Sequence, residues 1–253
     1  MLDGSVETGF ESPPPLYVMK NILILDTETT GTDPTTDRVV EVGAVLWSVE
    51  HATRRYAYSA LCHAPANPAR HINGIPEAAV VAGPDAASVW ARLDAWVGAV
   101  DAIVAHSASF DRSFTPAGWD QGKPWICSMA DVEWPHSRKR KLVDIALDHG
   151  LGVARAHRAL TDCELVERLL ERCHEMGFDV ADMLMQAARP KVRVVALTPP
   201  PWKVSEAEAA DTKAKLAACG FTWDSGAKVW SRMVVEENAT AFPFAVEVQR
   251  AAS

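Results

Sequence analysis

One stretch decides the fold of the chain: Ile22-Leu23-Ile24-Leu25-Asp26-Thr27-Glu28-Thr29-Thr30-Gly31. Four aliphatic residues in a row, followed by a glycine at the end of the stretch, predict a buried strand that runs out to a turn. Side chains two apart on a strand point to the same face, so Asp26 and Glu28 would project into one small volume. Two like charges at such a short distance repel each other unless a cation lies between them. A hard divalent cation, which prefers oxygen ligands, suits that position. The alternative is a solvated loop that carries both acids after the strand has ended.

The composition is that of an ordinary globular protein. A chain of 253 residues is long enough for one full core and a smaller second unit. Its hydrophobic content of 48% and charged content of 23% exclude a disordered or fibrous protein. No apolar run approaches the roughly 20 residues that a membrane helix needs, so we expect no membrane partner. The five cysteines are scattered, without a Cys-x-x-Cys pair, which argues against disulfides and structural zinc and predicts a reducing, cytoplasmic location.

The charge is unevenly distributed along the chain. From Arg189 onward there are 9 basic and 7 acidic residues, which leaves 16 basic and 26 acidic residues before it. This acidity argues against a protein that coats nucleic acid by charge alone. It remains compatible with an enzyme whose acids are gathered around cations.

The rest of the pattern predicts alternating strands and helices. Strands over residues 38–47 and 54–62 would form an antiparallel meander with the first strand, and residues 67–75 would form a loop. A helix is predicted over 86–97, short strands over 102–105 and 125–129, and amphipathic helices over 141–148 and 159–173. This order predicts a mixed α/β sheet.

Three domains are predicted. Residues 1–18 are acidic and Pro-rich, which predicts a flexible N-terminal arm and neither a secretory signal nor a transit peptide. Residues 19–186 would form the main domain. Residues 190–253 predict a small module with a strand, a helix over 205–219 and a hairpin, marginal in size to fold alone.

Two further acidic positions match the first stretch. Asp111 follows the predicted strand 102–105, and the strand ends of α/β sheets are where sites assemble. Taken alone, Asp111 or Ser109 is equally well explained as a helix cap. Asp162 lies at the start of a predicted helix. On that helix, a residue five positions earlier would point about 140° away from Asp162, so the two side chains could not share one face. We therefore expect His157 to lie in the loop before the helix. A lone histidine is otherwise a surface or core residue.

Together these residues resemble the DEDDh (DnaQ-like) family of 3′→5′ exonucleases. Its three motifs match Asp26-x-Glu28, His106-x-x-x-Phe110-Asp111 and His157-x-x-x-x-Asp162 in order and approximate spacing, over roughly residues 21–175. Within the family the local sequence is most similar to the exonuclease X group, as in Trp125-Ile126-Cys127-x-Met129. The resemblance implies a ribonuclease H-like fold: a mixed five-stranded sheet flanked by helices, here followed by the small C-terminal α/β module.

The resemblance also implies a reaction and a set of roles. Asp26 would bridge two Mg²⁺ ions, for which Mn²⁺ would substitute, and Glu28, Asp111 and Asp162 would complete the site. His157 would take the proton from the attacking water, because histidine titrates near neutral pH. The implied activity releases nucleoside 5′-monophosphates from a 3′ end, with single-stranded DNA favoured. Substrate contacts are expected from Thr27, Thr29, Thr30, Gly31, Asn73, Ile75, His106 and Phe110. For His106, a purely structural role is the alternative.

Two surfaces are candidates for further nucleic-acid contacts. The basic run Arg138-Lys139-Arg140-Lys141 would bind the phosphate backbone, or it is simply a solvated helix start. In the module, Trp223 and Trp230 would stack on bases, although some of the aromatic rings there must form its core.

Two other functions stay open. One is an RNA 3′→5′ exonuclease of the ribonuclease T or oligoribonuclease type, which differs in its contacts to the 2′-OH. The other is a non-catalytic nucleic-acid-binding subunit, against which the complete set of acids argues.

Overall fold

A computed structural model of the protein covers residues 19–153, 157–199 and 203–249 and divides the chain into two compact units between Ala188 and Arg189. The predicted N-terminal arm, residues 1–18, lies outside the described residues. Within the three described ranges, no helix is long and apolar enough to cross a bilayer. All five cysteines lie within these ranges and are free thiols.

The first unit is built on a five-stranded mixed sheet with the order β3-β2-β1-β4-β5. The strands are β1 (Asn21–Thr29), β2 (Val39–Ser48), β3 (Thr53–Leu61), β4 (Ala102–Ala105) and β5 (Trp125–Cys127). The first three form an antiparallel meander, whereas β4 pairs parallel to β1 and β5 parallel to β4. The prediction of a mixed five-stranded sheet is therefore confirmed.

Strand β1 runs further than the four aliphatic residues that predicted it. Asp26 pairs with Gly43 and Glu28 with Glu41 across β2, and the register shifts only after Glu28. Both acids therefore belong to the strand, and the alternative of a solvated loop is wrong.

Eight helices are described in the first unit. They are α1 (Arg70–Asn73), α2 (Glu77–Val81), α3 (Ala86–Ala91), α4 (Asp94–Gly98), α5 (Ala108–Phe114), α6 (Leu142–Asp148), α7 (Ala159–Glu175) and α8 (Val180–Ala188). Helix α1 lies in the predicted loop 67–75. The predicted helix 86–97 is interrupted where the Leu93 N–H donates to the Trp90 carbonyl at 2.9 Å, one residue tighter than an α-helix.

The two faces of the sheet are covered by different helices. Ile22 and Ile24 pack in a cluster with residues of α6, α7 and α8. Leu23 and Leu25 pack on the opposite face with residues of α3 and α4. Asp26 and Glu28 continue the row of Ile22 and Ile24, because side chains alternate along a strand. The two carboxylates therefore project on the face that α7 covers.

In the described residues, the second unit is a four-stranded sheet with one α-helix and a short 3₁₀-helix, Glu236–Asn238. Its elements are β6 (Lys191–Ala196), α9 (Glu206–Ala218), β7 (Thr222–Asp224), β8 (Val229–Val235) and β9 (Val246–Gln249), with the sheet order β7-β8-β6-β9. Ser205 caps α9 in a capping box with Glu208, and Gly220 follows the helix with φ of 75°. The predicted strand, helix and hairpin are present, and β9 is an additional strand.

Candidate active site

Helix α7 approaches β2 closely at a glycine. A Cβ atom on Gly43 would lie 2.3 Å from the carbonyl carbon of Ala159 and the nitrogen of Leu160, so no larger residue fits there without displacing the helix. The Cys163 thiol also donates to the Gly43 carbonyl at 3.3 Å. Gly43 is the strand partner of Asp26. This contact therefore brings the first turn of α7, which carries Asp162, next to the acids of β1.

Three predicted acids converge at this point. Asp26, Glu28 and Asp162 each offer a carboxylate oxygen within 4.8 Å of the other two. Oδ1 of Asp162 is buried and has no hydrogen-bond partner within the described part of the chain. A buried oxygen without a partner is costly, and a bound cation would satisfy it. The donor set is all oxygen, which suits a hard divalent cation, so these residues fit the metal that the sequence resemblance implies.

The electrostatics of the site show how crowded the carboxylates are. Burial raises the pKa of Asp26 well above its usual range, and the charges of Asp111, Asp162 and Glu28 raise it further. Burial, then Asp162 and Glu41, raise the pKa of Glu28 to about 8. Burial also raises the pKa of Asp162, although the hydrogen bond from the main-chain N–H of His157 lowers it. Without a cation, the folded protein thus resists carrying all these charges at once.

Asp111 reaches the site from α5. It is buried, and its Oδ1 accepts hydrogen bonds from the Thr27 N–H at 3.0 Å and the Thr27 hydroxyl at 2.8 Å. Burial raises its pKa to about 7 even though both bonds from Thr27 lower it. Thr27 is 5% exposed, and its hydroxyl holds Asp111 in place. The substrate contact expected at Thr27 stays a prediction.

His157 lies in the loop before α7, as its spacing from Asp162 predicts. Its side chain is exposed, and its main-chain N–H donates to Asp162 Oδ2 at 3.2 Å. Its φ is 62°, a left-handed conformation that costs a residue with a Cβ about 1 kcal/mol or more. The hydrogen bond thus fixes the backbone of the predicted base against a predicted metal ligand.

An ion pair beside the site was not predicted from the sequence. Glu41 is 2% exposed and accepts hydrogen bonds from Arg158 at 2.8 and 2.6 Å and from the Ala159 N–H at 3.1 Å. Arg158 also lowers the pKa of Glu28. The pair ties the start of α7 to β2, between His157 and Asp162. An acid inside the apolar strand predicted at 38–47 was the available signal, since a buried carboxylate needs a partner.

The residues after β1 are engaged with one another. The Thr29 hydroxyl donates to the Gly31 carbonyl at 2.6 Å, and the Thr30 hydroxyl donates to Asp37 Oδ1 at 2.9 Å. A Cβ on Gly31 would lie 2.4 Å from Asp37 Oδ2, so the glycine allows this close approach. The side chains of Thr29 and Thr30 therefore shape the turn, which leaves backbone groups for the expected substrate contacts.

The segment around Asn73 and Ile75 is held together by its own side chains. Asn73 is buried, and its Oδ1 accepts from the Asn67 side chain and from the Ile75 N–H, both at 3.0 Å. Ile75 is 2% exposed and packs in a small cluster with Val40. These two side chains brace the loop, and the substrate contacts expected at this segment stay a prediction. Phe110 is half-buried, with its ring 5.0 Å from that of Phe114.

The other predicted contacts lie in three places. Both ring nitrogens of His106 are engaged, with Ser128 at 2.9 Å and with the Arg140 carbonyl at 2.8 Å. These two bonds support the structural alternative for His106, and its expected substrate contact stays a prediction. Arg138, Lys139, Arg140 and Lys141 are all exposed. In the second unit, the Trp223 and Trp230 rings lie 5.6 Å apart, edge to face, while Phe221 is buried in the core.

Comparisons with known proteins agree on the kind of domain. The exonuclease (RNase T) family model matches residues 23–119. A DNA polymerase III of the PolC type from Bacillus cereus is 24% identical over 197 residues, which cover 73% of this chain but only 14% of the polymerase. A solved structure of exonuclease X in complex with 5′ overhanging duplex DNA is 29% identical, with a TM-score of 0.51 over 64% of this chain and 98% of that one. Exonuclease I of E. coli, bound to single-stranded DNA and zinc, shares the fold at 17% identity and a TM-score of 0.54, over 70% of this chain and 48% of that one.

Proposed function

Because this chain belongs, through its first unit, to the DEDDh (DnaQ-like) family of 3′→5′ exonucleases, we propose that it hydrolyses DNA from the 3′ end and releases nucleoside 5′-monophosphates. The observation that carries the proposal is the convergence of Asp26, Glu28 and Asp162, together with an Asp162 oxygen that has no hydrogen-bond partner among the described residues. DNA is supported as the substrate by the similar exonuclease X, whose solved structure is a complex with duplex DNA.

The proposed metal site consists of the four acids. Asp26, Glu28 and Asp162, with Asp111 buried beside them, would hold two divalent ions, Mg²⁺ by preference with Mn²⁺ as a substitute. When bound, such ions lower the pKa of the attacking water and stabilise the leaving oxygen. Thr27 keeps Asp111 oriented through two hydrogen bonds, and Gly43 keeps Asp162 close to β1.

The proposed proton acceptor is His157. The residue is exposed to solvent, while its backbone is held to Asp162. An imidazole in this place would take the proton of the attacking water as the phosphodiester P–O bond to the penultimate nucleotide breaks. The departing 3′ oxygen leaves with the shortened strand, and the released nucleotide keeps its 5′ phosphate.

The proposal is tested with labelled substrates. We expect Mg²⁺-dependent release of the 3′-terminal nucleotide from single-stranded DNA, and slower release from duplex DNA and from matched RNA. Removal of the metal with EDTA should abolish release, and added Mg²⁺ should restore it. Faster hydrolysis of RNA would favour the RNA exonuclease instead. Failure to bind Mg²⁺ or Mn²⁺ in a calorimetric titration would favour a non-catalytic subunit.

For the second unit we propose a contact to the same nucleic acid. Trp223 is 37% exposed, and with Trp230 it lines a groove of about 450 Å³ that Arg193 and Lys228 also border. An exposed indole next to cations suits base stacking with phosphate contact. This supports the assignment of residues 190–253 as a nucleic-acid-binding module.

Replacing Trp223 by alanine in the full chain should weaken binding of a single-stranded oligonucleotide by roughly 5- to 100-fold, because one stacked base contributes about 1–3 kcal/mol. Fluorescence anisotropy with a labelled oligonucleotide measures the change. Met233→Ala removes an exposed apolar side chain of the same unit outside the groove and serves as the control. Equal affinity of the two variants would contradict the assignment.

A further inference from the structure

An exposed basic segment stands out in the acidic first unit. Arg138, Lys139, Arg140 and Lys141 follow one another, whereas the residues before Arg189 carry 16 basic and 26 acidic side chains in total. All four are exposed, and in the described ranges none forms a salt bridge with an acid. Water and salt screen the repulsion between exposed cations, but four of them side by side attract a polyanion.

The backbone of the segment is held by hydrogen bonds. The Ser137 hydroxyl donates to Asp148 Oδ2 at 2.7 Å and accepts from the Lys139 N–H at 3.2 Å. Nε2 of His106 bonds the Arg140 carbonyl at 2.8 Å, and Nδ1 lies 2.9 Å from the Ser128 hydroxyl. A carbonyl can only accept, so Nε2 carries the hydrogen. The cations are thus presented from a fixed backbone.

His106 places this segment beside the carboxylates. Strand β4 pairs in parallel with β1, with Ile22 opposite Ala102 and Ile24 opposite Val104. His106 is the first residue after β4, so it lies at the same edge of the sheet as the carboxyl end of β1, which carries Asp26 and Glu28. Neighbouring strands lie about 4.8 Å apart. The His106 side chain bonds the Arg140 carbonyl, so that carbonyl is held at the end of the sheet that carries the acids.

We propose that Arg138, Lys139 and Lys141 bind backbone phosphates of the strand whose 3′ end lies at the acids, and that His106 is the positioning residue that holds them there. The inference rests on the proposed function, since it assigns the path of the substrate of the same site. An acidic site repels a polyanion, so nearby cations are needed to hold the strand behind its terminal nucleotide. Arg140 is left out because its side chain turns toward the Met129 carbonyl, 3.5 Å away.

The first test removes the charges in the full chain. The triple variant Arg138→Gln/Lys139→Gln/Lys141→Gln is compared with Lys20→Gln/Arg55→Gln/Arg92→Gln, which removes three exposed cations elsewhere in the unit. Binding of a single-stranded 20-mer is measured by anisotropy across salt concentrations. For the first variant, the plot of log affinity against log salt concentration should become less steep by about 2, because each of the three lost phosphate contacts to a single strand contributes about 0.7 to the slope. Identical slopes in the two triple variants would overturn the proposal.

Hydrolysis separates this proposal from the proposed function. The p-nitrophenyl ester of thymidine 5′-monophosphate carries one phosphate and reports on the acids alone. The first triple variant should hydrolyse it as wild type does, while its KM for the 20-mer should rise roughly tenfold or more at low salt. If even the wild type hydrolyses neither substrate, the proposed function fails. The salt slopes would still decide whether the segment binds nucleic acid.

The second test concerns His106. His106→Ala removes the bond to the Arg140 carbonyl and should raise KM for the 20-mer with little change in the hydrolysis of the ester. His106→Gln, whose amide can donate to the same carbonyl, should recover part of the loss. Equal KM values for His106→Ala and wild type would overturn the positioning role. So would a fall in kcat alone.

Discussion

Replacing Asp26 by asparagine should lower kcat/KM for a single-stranded oligonucleotide by about 10³-fold or more, since the loss of metal-assisted charge stabilisation is worth several kcal/mol. Asparagine keeps the shape of the side chain but removes one of the charges at the point where three carboxylates lie within 4.8 Å of each other. The measurement is steady-state release of the 3′-terminal nucleotide. Asp33→Asn is the matched control, because Asp33 is an exposed acid in the loop after β1.

The same variant should have the opposite effect on stability without metal. The folded-state pKa of Glu28 is raised from 4.5 to about 8, so the metal-free protein loses unfolding free energy as pH rises through that interval. The pKa of Asp26 is also raised well above its usual range, first by burial and then by the charges of Asp111, Asp162 and Glu28, and asparagine removes this titration. In urea unfolding with EDTA, the unfolding free energy of Asp26→Asn relative to that of wild type should therefore increase as pH rises from 5 to about 8. A constant difference across this range would contradict the crowding.

Replacing Arg158 by methionine should destabilise the protein by about 3 kcal/mol, because breaking one side of a buried ion pair leaves an uncompensated charge. Glu41 is the charge left behind, with its side chain 2% exposed. We place the expected loss at the lower end of the usual range because the Arg158 side chain is itself 30% exposed. Adding Glu41→Gln to the variant should recover part of the loss. Urea unfolding measures both changes.

The effect on activity separates positioning from stability. Arg54 forms a comparable pair with the buried Glu167 further along α7, so Arg54→Met is the matched control. Both variants should lose stability, but only Arg158→Met should lose about tenfold or more in kcat/KM under conditions where both are folded, because it frees the segment between His157 and Asp162. Equal activity losses in the two variants would contradict the positioning role of Arg158.

The sequence was sufficient for most of the first unit's framework. Short runs of aliphatic residues bounded by turn signals predicted β1 to β5, because a buried strand is where such runs are stable. It missed α8, whose apolar residues Val180, Leu184 and Ala187 have helical spacing in a short segment. It also missed β9, where Val246 and Val248 alternate with polar residues over only four positions. Short elements carry too few repeats for a period to stand out.

Side-chain roles were harder to predict than the convergence of the acids. Position along β1 was enough to predict that Asp26 and Glu28 lie together, and the resemblance to the exonuclease family placed Asp162 with them. The sequence did not reveal that the side chains of Thr27 and Asn73 form hydrogen bonds within the protein. Nor did it reveal that Arg158 pairs with Glu41, more than a hundred residues away. The Arg158–Glu41 pair depends on how α7 packs at Gly43, and that packing is not encoded in any local sequence pattern.

The most direct test follows one oligonucleotide that carries different labels at its 3′ and 5′ ends. With Mg²⁺, wild type should release the 3′ label first as a nucleoside 5′-monophosphate, EDTA should stop the release, and Asp26→Asn should release almost none. Equal release by wild type and Asp26→Asn would contradict the assignment of the site. Release that EDTA leaves unchanged, or loss of the 5′ label first, would contradict it as well.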